Sequence, residues 1–399
     1  MKPKIYSIDE HRLPHERIDN HAYYVVMKLR KHGHQAYLVG GSVRDLLLNC
    51  RPKDYDISTS ATPEEVKKCF RNCLLIGRRF RLAHVRFGKK IIEVATFRAG
   101  ETENTDLIVR DNVWGTEEED VIRRDFTING LFYDPENHTI IDYVNGFEDL
   151  EKKVIRTIGD PSTRFKQDPV RMIRLLKFYA RFDLDIDQKT YDALIQCKGE
   201  IVKSSPTRIL EELLRMLESG HAKDFFRHLQ EQGFLELMTP LLSRYLEKEN
   251  ALYYELLEHI DIFHKKDLKH KYNRGLLLAS LIFPLVHERL LNEDKGLHLG
   301  QINQIINSTI FEVFTPFFHI PKKLRAIMVS VLANQYRFTP LAEKKRKSYK
   351  IPRDPFFCFS LDFFKLRADT NPSFLKTYTK WHEILFKSHK KTKKVAKTK

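Results

Sequence analysis

Along the first third of the chain, hydrophobic positions switch between a spacing of three to four and a spacing of two. Ile18, Ala22, Val25, Val26 and Leu29 recur at helical spacing, and Gly33 stops the run. A short apolar strand at 36–39 runs into Gly40-Gly41, and Ser42 is placed to cap a helix over 43–48. A second strand is predicted at 54–58. Thr62 is the cap of the next helix, with Pro63 at its first position and Glu64 and Glu65 in its first turn. The stretches 81–87 and 91–97 alternate around Gly88-Lys89-Lys90 and predict a hairpin. Shorter strands are predicted at 140–143 and 154–157, with a polar helix at 147–152 between them. After Asp160 the pattern becomes helical throughout, with amphipathic stretches at 170–181, 207–219, 223–232, 253–265 and 322–335. No strand is predicted there and no fixed-period repeat is visible. The fold class predicted is therefore an α+β N-terminal part, a small mixed sheet with helices, followed by an all-α remainder.

Composition narrows the function classes. The chain has 399 residues, 42% hydrophobic and 31% charged, which suits a folded protein of two to three domains. The longest apolar stretch, 275–286, contains Ser280 and Pro284 and is too short to span a bilayer. The first residues show no secretory h-region, and five scattered cysteines suit a reducing, cytoplasmic setting rather than a disulfide framework. Lys and Arg exceed Asp and Glu by 16. That excess calls for a polyanionic partner, a nucleic acid or a membrane surface. Lys387, Lys390, Lys391, Lys393, Lys394, Lys397 and Lys399 form a run with no acid, expected to be disordered in isolation and to contact a polyanion.

The chemistry concentrates at Gly40, Gly41, Ser42 and Arg44, followed by Asp54 and Asp56. Strand, paired glycines and helix start let an anion approach the backbone closely. Asp54 and Asp56, at i and i+2 on a strand, project to one face. Two neighbouring carboxylates repel each other unless a cation lies between them. Mg2+ prefers carboxylate and phosphate oxygens. Glu93, an acid between apolar residues on a neighbouring strand, is the expected third member of a two-ion site for phosphoryl displacement. Read blandly, Asp54 and Asp56 are surface or turn residues after Pro52. Cys69 and Cys73 are placed at i, i+4 on a helix and read as a buried pair rather than metal ligands. His84 reads as structural. The aromatics of the last sixty residues, Tyr378 and Trp381 among them, suit packing better than base stacking.

Gly40-Gly41-Ser42-Val43-Arg44-Asp45 with Asp54-Tyr55-Asp56 resembles the signature of the class II tRNA nucleotidyltransferase and bacterial poly(A) polymerase superfamily. Three later segments resemble family motifs in the same order. Arg123-Arg124-Asp125-Phe126-Thr127-Ile128-Asn129 is similar to the nucleotide-binding segment, Gly146-Phe147-Glu148-Asp149-Leu150 to a short flexible turn, and Gln167-Asp168-Pro169-Val170-Arg171-Met172-Ile173-Arg174 to the segment that holds the base. The stretch Gly77-Arg78-Arg79-Phe80-Arg81-Leu82-Ala83-His84-Val85 resembles the poly(A) polymerase branch. Gln167 stands where relatives often carry an acid.

The resemblance implies a nucleotidyltransferase head over 18–115 behind an N-terminal extension at 1–17, a nucleotide-binding neck over 116–181, an RNA-binding helical body over 182–340 and a basic helical tail over 341–399 with a disordered Lys-rich end. It implies catalysis by Asp54, Asp56, Glu93 and Asp125. Metal would sit on Asp54 and Asp56, and nucleotide on Gly40, Gly41, Ser42, Arg44, Arg123, Arg124, Asn129, Asp168, Arg171 and Arg174. Whether Asp125 holds a ribose hydroxyl or supports the metal site stays open. Arg123 and Arg124 also admit a plainer role as exposed partners of the acid run Glu117–Asp120. Asp168 and Arg171 share a helix face at i, i+3 and would read adenine as acceptor and donor. Arg78, Arg79, Arg81, Lys390, Lys391, Lys393 and Lys394 are candidate RNA contacts. The expected activity is template-independent addition of AMP from ATP to RNA 3′ ends with two Mg2+ ions. A CCA-adding enzyme and a non-catalytic basic RNA-binding protein are the alternatives.

Overall fold

The structure is a computed structural model that describes residues 2–77, 82–99, 113–248, 251–267, 270–293, 297–341 and 349–396, with side chains as far as Lys387. Arg78, Arg79, Arg81, the segment 344–347 and the side chains of Lys390, Lys391, Lys393 and Lys394 lie outside the described set. The chain divides into two compact units, Met1–Glu200 and Ile201–Lys399.

The first unit is built on one sheet. Its strands are β1 (Lys4–Tyr6), β2 (Ala36–Val39), β3 (Asp56–Thr59), β4 (Cys73–Ile76), β5 (Leu82–Phe87), β6 (Lys90–Thr96), β7 (Leu131–Asp134) and β8 (Thr139–Asp142), in the order β1-β8-β7-β2-β3-β6-β5-β4. Only β3 and β6 pair in parallel; the other neighbours are antiparallel. The sheet is mixed, as expected, but it crosses two expected boundaries. β1 comes from the segment read as an extension, and β7 and β8 from the segment read as the neck, where the strand predicted at 140–143 is β8 and β7 was not predicted. Leu131, Phe132 and Tyr133 are buried on both sides of the sheet, so β7 shows no alternation by which a sequence could announce it.

The helices of this unit are α1 (Ile8–His11), α2 (Asn20–Lys31), α3 (Gly41–Leu47), α4 (Pro63–Cys69), α5 (Glu117–Ile122), α6 (Gly146–Glu151), α7 (Pro161–Gln167), α8 (Val170–Arg181) and α9 (Gln188–Cys197). Thr62 caps α4 reciprocally with Glu65, as its sequence predicts, and Thr116 with Glu119 caps α5 the same way. Four expectations change. Gly40, not Ser42, precedes α3, and the Ser42 hydroxyl donates back to the Val39 carbonyl at 3.0 Å. Gly146–Glu151 is a helix, as the pattern over 147–152 predicts, with Phe147, Asp149 and Leu150 buried, rather than the flexible turn the resemblance implies. Cys69 ends α4 while Cys73 opens β4, so the two share no helix face and both are half-buried. A short parallel pair, β9 (Val154–Ile155) with β10 (Asp185–Ile186), lies partly beyond Asp160.

The second unit is helical: α10 (Pro206–Leu217), α11 (Ala222–Glu231), α12 (Phe234–Met238), α13 (Pro240–Lys248), α14 (Ala251–Lys266), α15 (Arg274–Leu291), α16 (Leu299–Phe314), α17 (Lys322–Phe338), α18 (Phe357–Thr370) and α19 (Leu375–Ala396). The aromatic-rich end packs as expected: Phe338, Phe357, Leu361, Phe364 and Trp381 form a buried cluster. The backbone is helical as far as Ala396, where charge repulsion alone suggests coil. Among the described residues no helix is long and apolar enough to cross a membrane.

Candidate active site

Because β3 and β6 run in parallel with Asp56 opposite Glu93, two acids from segments 37 residues apart become cross-strand neighbours. Tyr55 turns inward and its hydroxyl donates to the Arg17 carbonyl at 3.0 Å. Asp54 and Asp56 therefore flank it on the opposite, solvent side, although Asp54 precedes the strand rather than lying on it. Asp56 lines a cavity of about 260 Å³ with Glu93, Ser58, Arg98, Asp120, Arg123 and Arg124. Protein surrounds the Asp56 carboxyl even though solvent reaches it through the cavity. Burial, then the negative charges of Glu93 and Asp54, push it up to about 6 against the pull of Arg124.

The expected convergence of three acids is not assembled. Among the described residues no group of three or more His, Cys, Asp or Glu side chains is placed to hold a metal ion. Glu93 is half exposed and lies 3.6 Å from the His84 imidazole. Asp56 and the carboxylates beside it, with Asp56 held well above its usual range by burial and by their charge, are nonetheless oxygen donors that a divalent cation would relieve.

The cationic wall is set by Arg124. Its guanidinium binds Asp120 at 2.8 Å, Ser58 at 3.1 Å and the Asn129 carbonyl at 3.3 Å, and it packs on the Phe132 ring. Gly40, with φ +66° and ψ −128°, lies against it: a Cβ there would meet an Arg124 terminal nitrogen at 3.0 Å. Arg123 is 3.7 Å from Asp120. Arg164 fixes this segment from behind, donating to the carbonyls of Ile122, Arg123 and Arg124. Sequence reasoning offered Asp120 only within the acid run Glu117–Asp120, as an exposed partner of Arg123 and Arg124; it does pair with both arginines, but from a buried position, and Arg164 was missed. Asp120 reads as one of four acids in a helix start, yet it is 5% exposed and faces the cavity. For Arg164 no sequence signal exists.

A largely buried chain of polar and charged contacts holds α3, α8 and the turn at Thr127–Asn129 together. Arg181 binds Asp45, Asp45 binds Arg44, Arg44 donates to Asn129 at 2.5 Å, Asn129 donates to Asp125 at 2.9 Å, and Asp125 meets Arg174 at 2.7 Å. This placement sets four of the expected site residues, Arg44, Asp125, Asn129 and Arg171, inside the protein. Arg44, 4% exposed and set against the Phe178 and Phe182 rings, does not line the cavity. Asp125, 8% exposed, does not line the cavity. Burial raises its carboxyl, but Arg174, Asn129, the Phe126 amide and Arg171 outweigh that and hold it down to about 2. Arg171 is buried and donates to the carbonyls of Arg164 and Arg123. Asn129 is likewise internal. Asp168 is half-buried at the end of α7, and Arg174 remains partly exposed beside Asp125.

A sheet that sets paired acids at the mouth of a glycine turn, facing arginines, defines a nucleotidyltransferase. Residues 36–156 match the poly A polymerase head domain, and residues 183–246 match a probable RNA and SrmB-binding site of polymerase A. Poly(A) polymerase I of Salmonella typhimurium is 34% identical over 392 residues, spanning 94% of this chain and 83% of the relative. The Haemophilus influenzae poly(A) polymerase I is 33% identical, spanning 91% and 83%. Among solved structures, the Bacillus stearothermophilus CCA-adding enzyme in complex with CTP superposes with TM-score 0.61 at 25% identity, spanning 91% of this chain and 80% of that one. The CCA-adding enzyme of Lactobacillus helveticus is 40% identical over 205 residues, 51% of each chain. This chain belongs to the poly(A) polymerase family and is a nucleotidyltransferase that acts on RNA.

Asp120 is a positioning residue, since it reaches the cavity chiefly through Arg124. Asp120→Asn is expected to raise KM for nucleoside triphosphate roughly tenfold while changing kcat less than threefold. Steady-state kinetics at varied triphosphate checks this; an unmoved KM would remove Asp120 from the role.

Proposed function

We propose that the protein adds AMP from ATP to RNA 3′ ends without a template. The observation that carries this reading is Asp56 set opposite Glu93 on the cavity floor with Arg123 and Arg124 on its wall. The RNA 3′-oxygen attacks the α-phosphorus of ATP, the bond from that phosphorus to the α,β-bridging oxygen breaks, and pyrophosphate departs. Asp54 and Asp56 are the residues that would hold Mg2+, with the triphosphate supplying further oxygens. When bound, the cation would acidify the 3′-hydroxyl and neutralise charge on the departing pyrophosphate.

Arg124 and Arg123 orient the triphosphate, and Gly40 lets its oxygens approach the turn. Arg174, held by Asp125, borders the nucleotide from α8. Asp168 accepts from the exocyclic amino group of adenine, and Arg171 keeps the α7–α8 corner in place behind it. The rate enhancement comes chiefly from positioning and from charge placed before the reaction begins.

A CCA-adding activity is the second reading, favoured by the structural likeness to the CTP complex. Incubating the protein with a generic RNA and with tRNA ending before CCA, each with one nucleoside triphosphate at a time, separates the two. ATP-only tails of many residues on either RNA are expected. Incorporation of CTP confined to tRNA would overturn the proposal.

A further inference from the structure

A cavity of about 610 Å³ lies in the second unit, on α16, the turn after it and the start of α17. Its floor is apolar, with Ile310, Phe314 and Phe318 buried. Phe311 stands at its rim, 62% exposed. Around the rim, Gln304, Asn307, His319 and Arg325 line the same space, and none of the lining residues is acidic.

Two further features bear on what it takes. Among the described residues the Gln304 amide, the His319 ring and the Arg325 guanidinium make no side-chain hydrogen bond or ion pair, while Asn307 spends only its Nδ2 on the Asn303 carbonyl. Four polar groups with unused capacity meet over an apolar floor. In addition, Lys322 and Lys323, both exposed, open α17, the helix that carries Arg325.

We propose that this cavity is a base-binding subsite for single-stranded RNA, separate in sequence from the catalytic segment. One base lies over the apolar floor and stacks on Phe311. Gln304 and Asn307, amides able to donate and accept together, meet its hydrogen-bonding edge. Arg325 and His319 meet the adjoining phosphates. Apolar floor, aromatic rim, amides and unpaired cations match a nucleotide at every group. A bilayer headgroup would leave the amides and the floor unused. The subsite rests on the reading that RNA is the substrate.

The experiment is fluorescence anisotropy of labelled oligo(A) on the full chain, without ATP or divalent cation, with thermal melting as the check on folding. Phe311→Ala and Arg325→Glu, both at exposed positions, are each expected to weaken binding roughly tenfold with melting unchanged. Phe311→Trp is expected to restore wild-type affinity, and Arg325→Glu to flatten the dependence of affinity on salt. In the extension assay, the same two variants should raise KM for RNA and leave KM for ATP as it was. Affinities within twofold of wild type in both variants would overturn the subsite, and would leave the groove to a protein or other ligand. If wild type binds oligo(A) through Phe311 but transfers no nucleotide, the proposed reaction fails and the subsite stands. If wild type extends RNA and the variants bind it normally, the reverse holds.

Discussion

Asp56→Asn is expected to lower nucleotide addition by ~10³-fold or more, because it removes a charged oxygen donor at the point where phosphate charge must be balanced. The same variant is expected to be more stable than wild type in metal-free buffer at pH 7.5. The sign follows from the raised carboxyl. The folded chain keeps the Asp56 proton up to about 6, whereas an unfolded chain releases it near 4. Between those values the folded state binds more protons, so stability falls as pH rises, and the full cost is present above about 6. Asparagine carries no such cost. The gain at pH 7.5 is roughly 1 kcal/mol, since solvent in the cavity screens the repulsion, and it vanishes towards pH 4. Thermal melts of both proteins at the two pH values, with and without Mg2+, measure it. Mg2+ should stabilise wild type more than the variant. Equal melting behaviour under all four conditions would show that Asp56 neither suffers the repulsion nor holds the ion.

Gly146→Ala carries the largest expected loss of stability, about 3 kcal/mol or more. A Cβ at Gly146 would lie 2.1 Å from the Thr127 carbonyl oxygen and 2.7 Å from its carbon. These are backbone atoms and cannot swing aside as a side-chain tip can. Nor can the turn shift freely. The Thr127 hydroxyl donates to the buried Asp149 at 2.7 Å, and Asn129, two residues on, links Asp125 and Arg44 in the chain of polar and charged contacts. Displacement at Thr127 therefore reaches Arg174. Activity should fall together with melting temperature. Gly88→Ala is the control: its φ of +62° is costly, but no atom stands within 4 Å of the added Cβ. It is expected to cost about 1 kcal/mol and to leave activity intact. Calorimetry of both variants, with a single-turnover assay at low temperature, separates the two effects.

Local signals located much of the first unit. β2 occupies 36–39 as its apolar run indicates, α8 spans Val170–Arg181, and Thr62 caps α4 with the partner its spacing provides. The segments carrying the glycine turn, the two aspartates, the paired arginines and the α7–α8 corner were legible because each is a short pattern of residue types. Roles within those segments were less so. Arg44 and Arg124 are both arginines near glycines, yet one is sealed between Phe178 and Phe182 and the other borders the cavity. Asp120 differs from Glu117, Glu118 and Glu119 only in the direction its helix turns it.

Residue order alone determined that this chain pairs an α+β part with a helical remainder, that its acids stand two apart after a glycine turn, and that its charge suits a polyanion. Those properties are local or compositional, and neighbours along the chain suffice to set them. Tertiary structure decided that Asp56 faces Glu93, that β1, β7 and β8 complete the sheet, that Arg44, Arg171 and Asp125 point inward, and that a cavity with unused polar groups opens on α16. Each of these depends on contacts between residues far apart in the chain. Such contacts form only when burial of the sheet and of α8 offsets the entropy of bringing distant segments together.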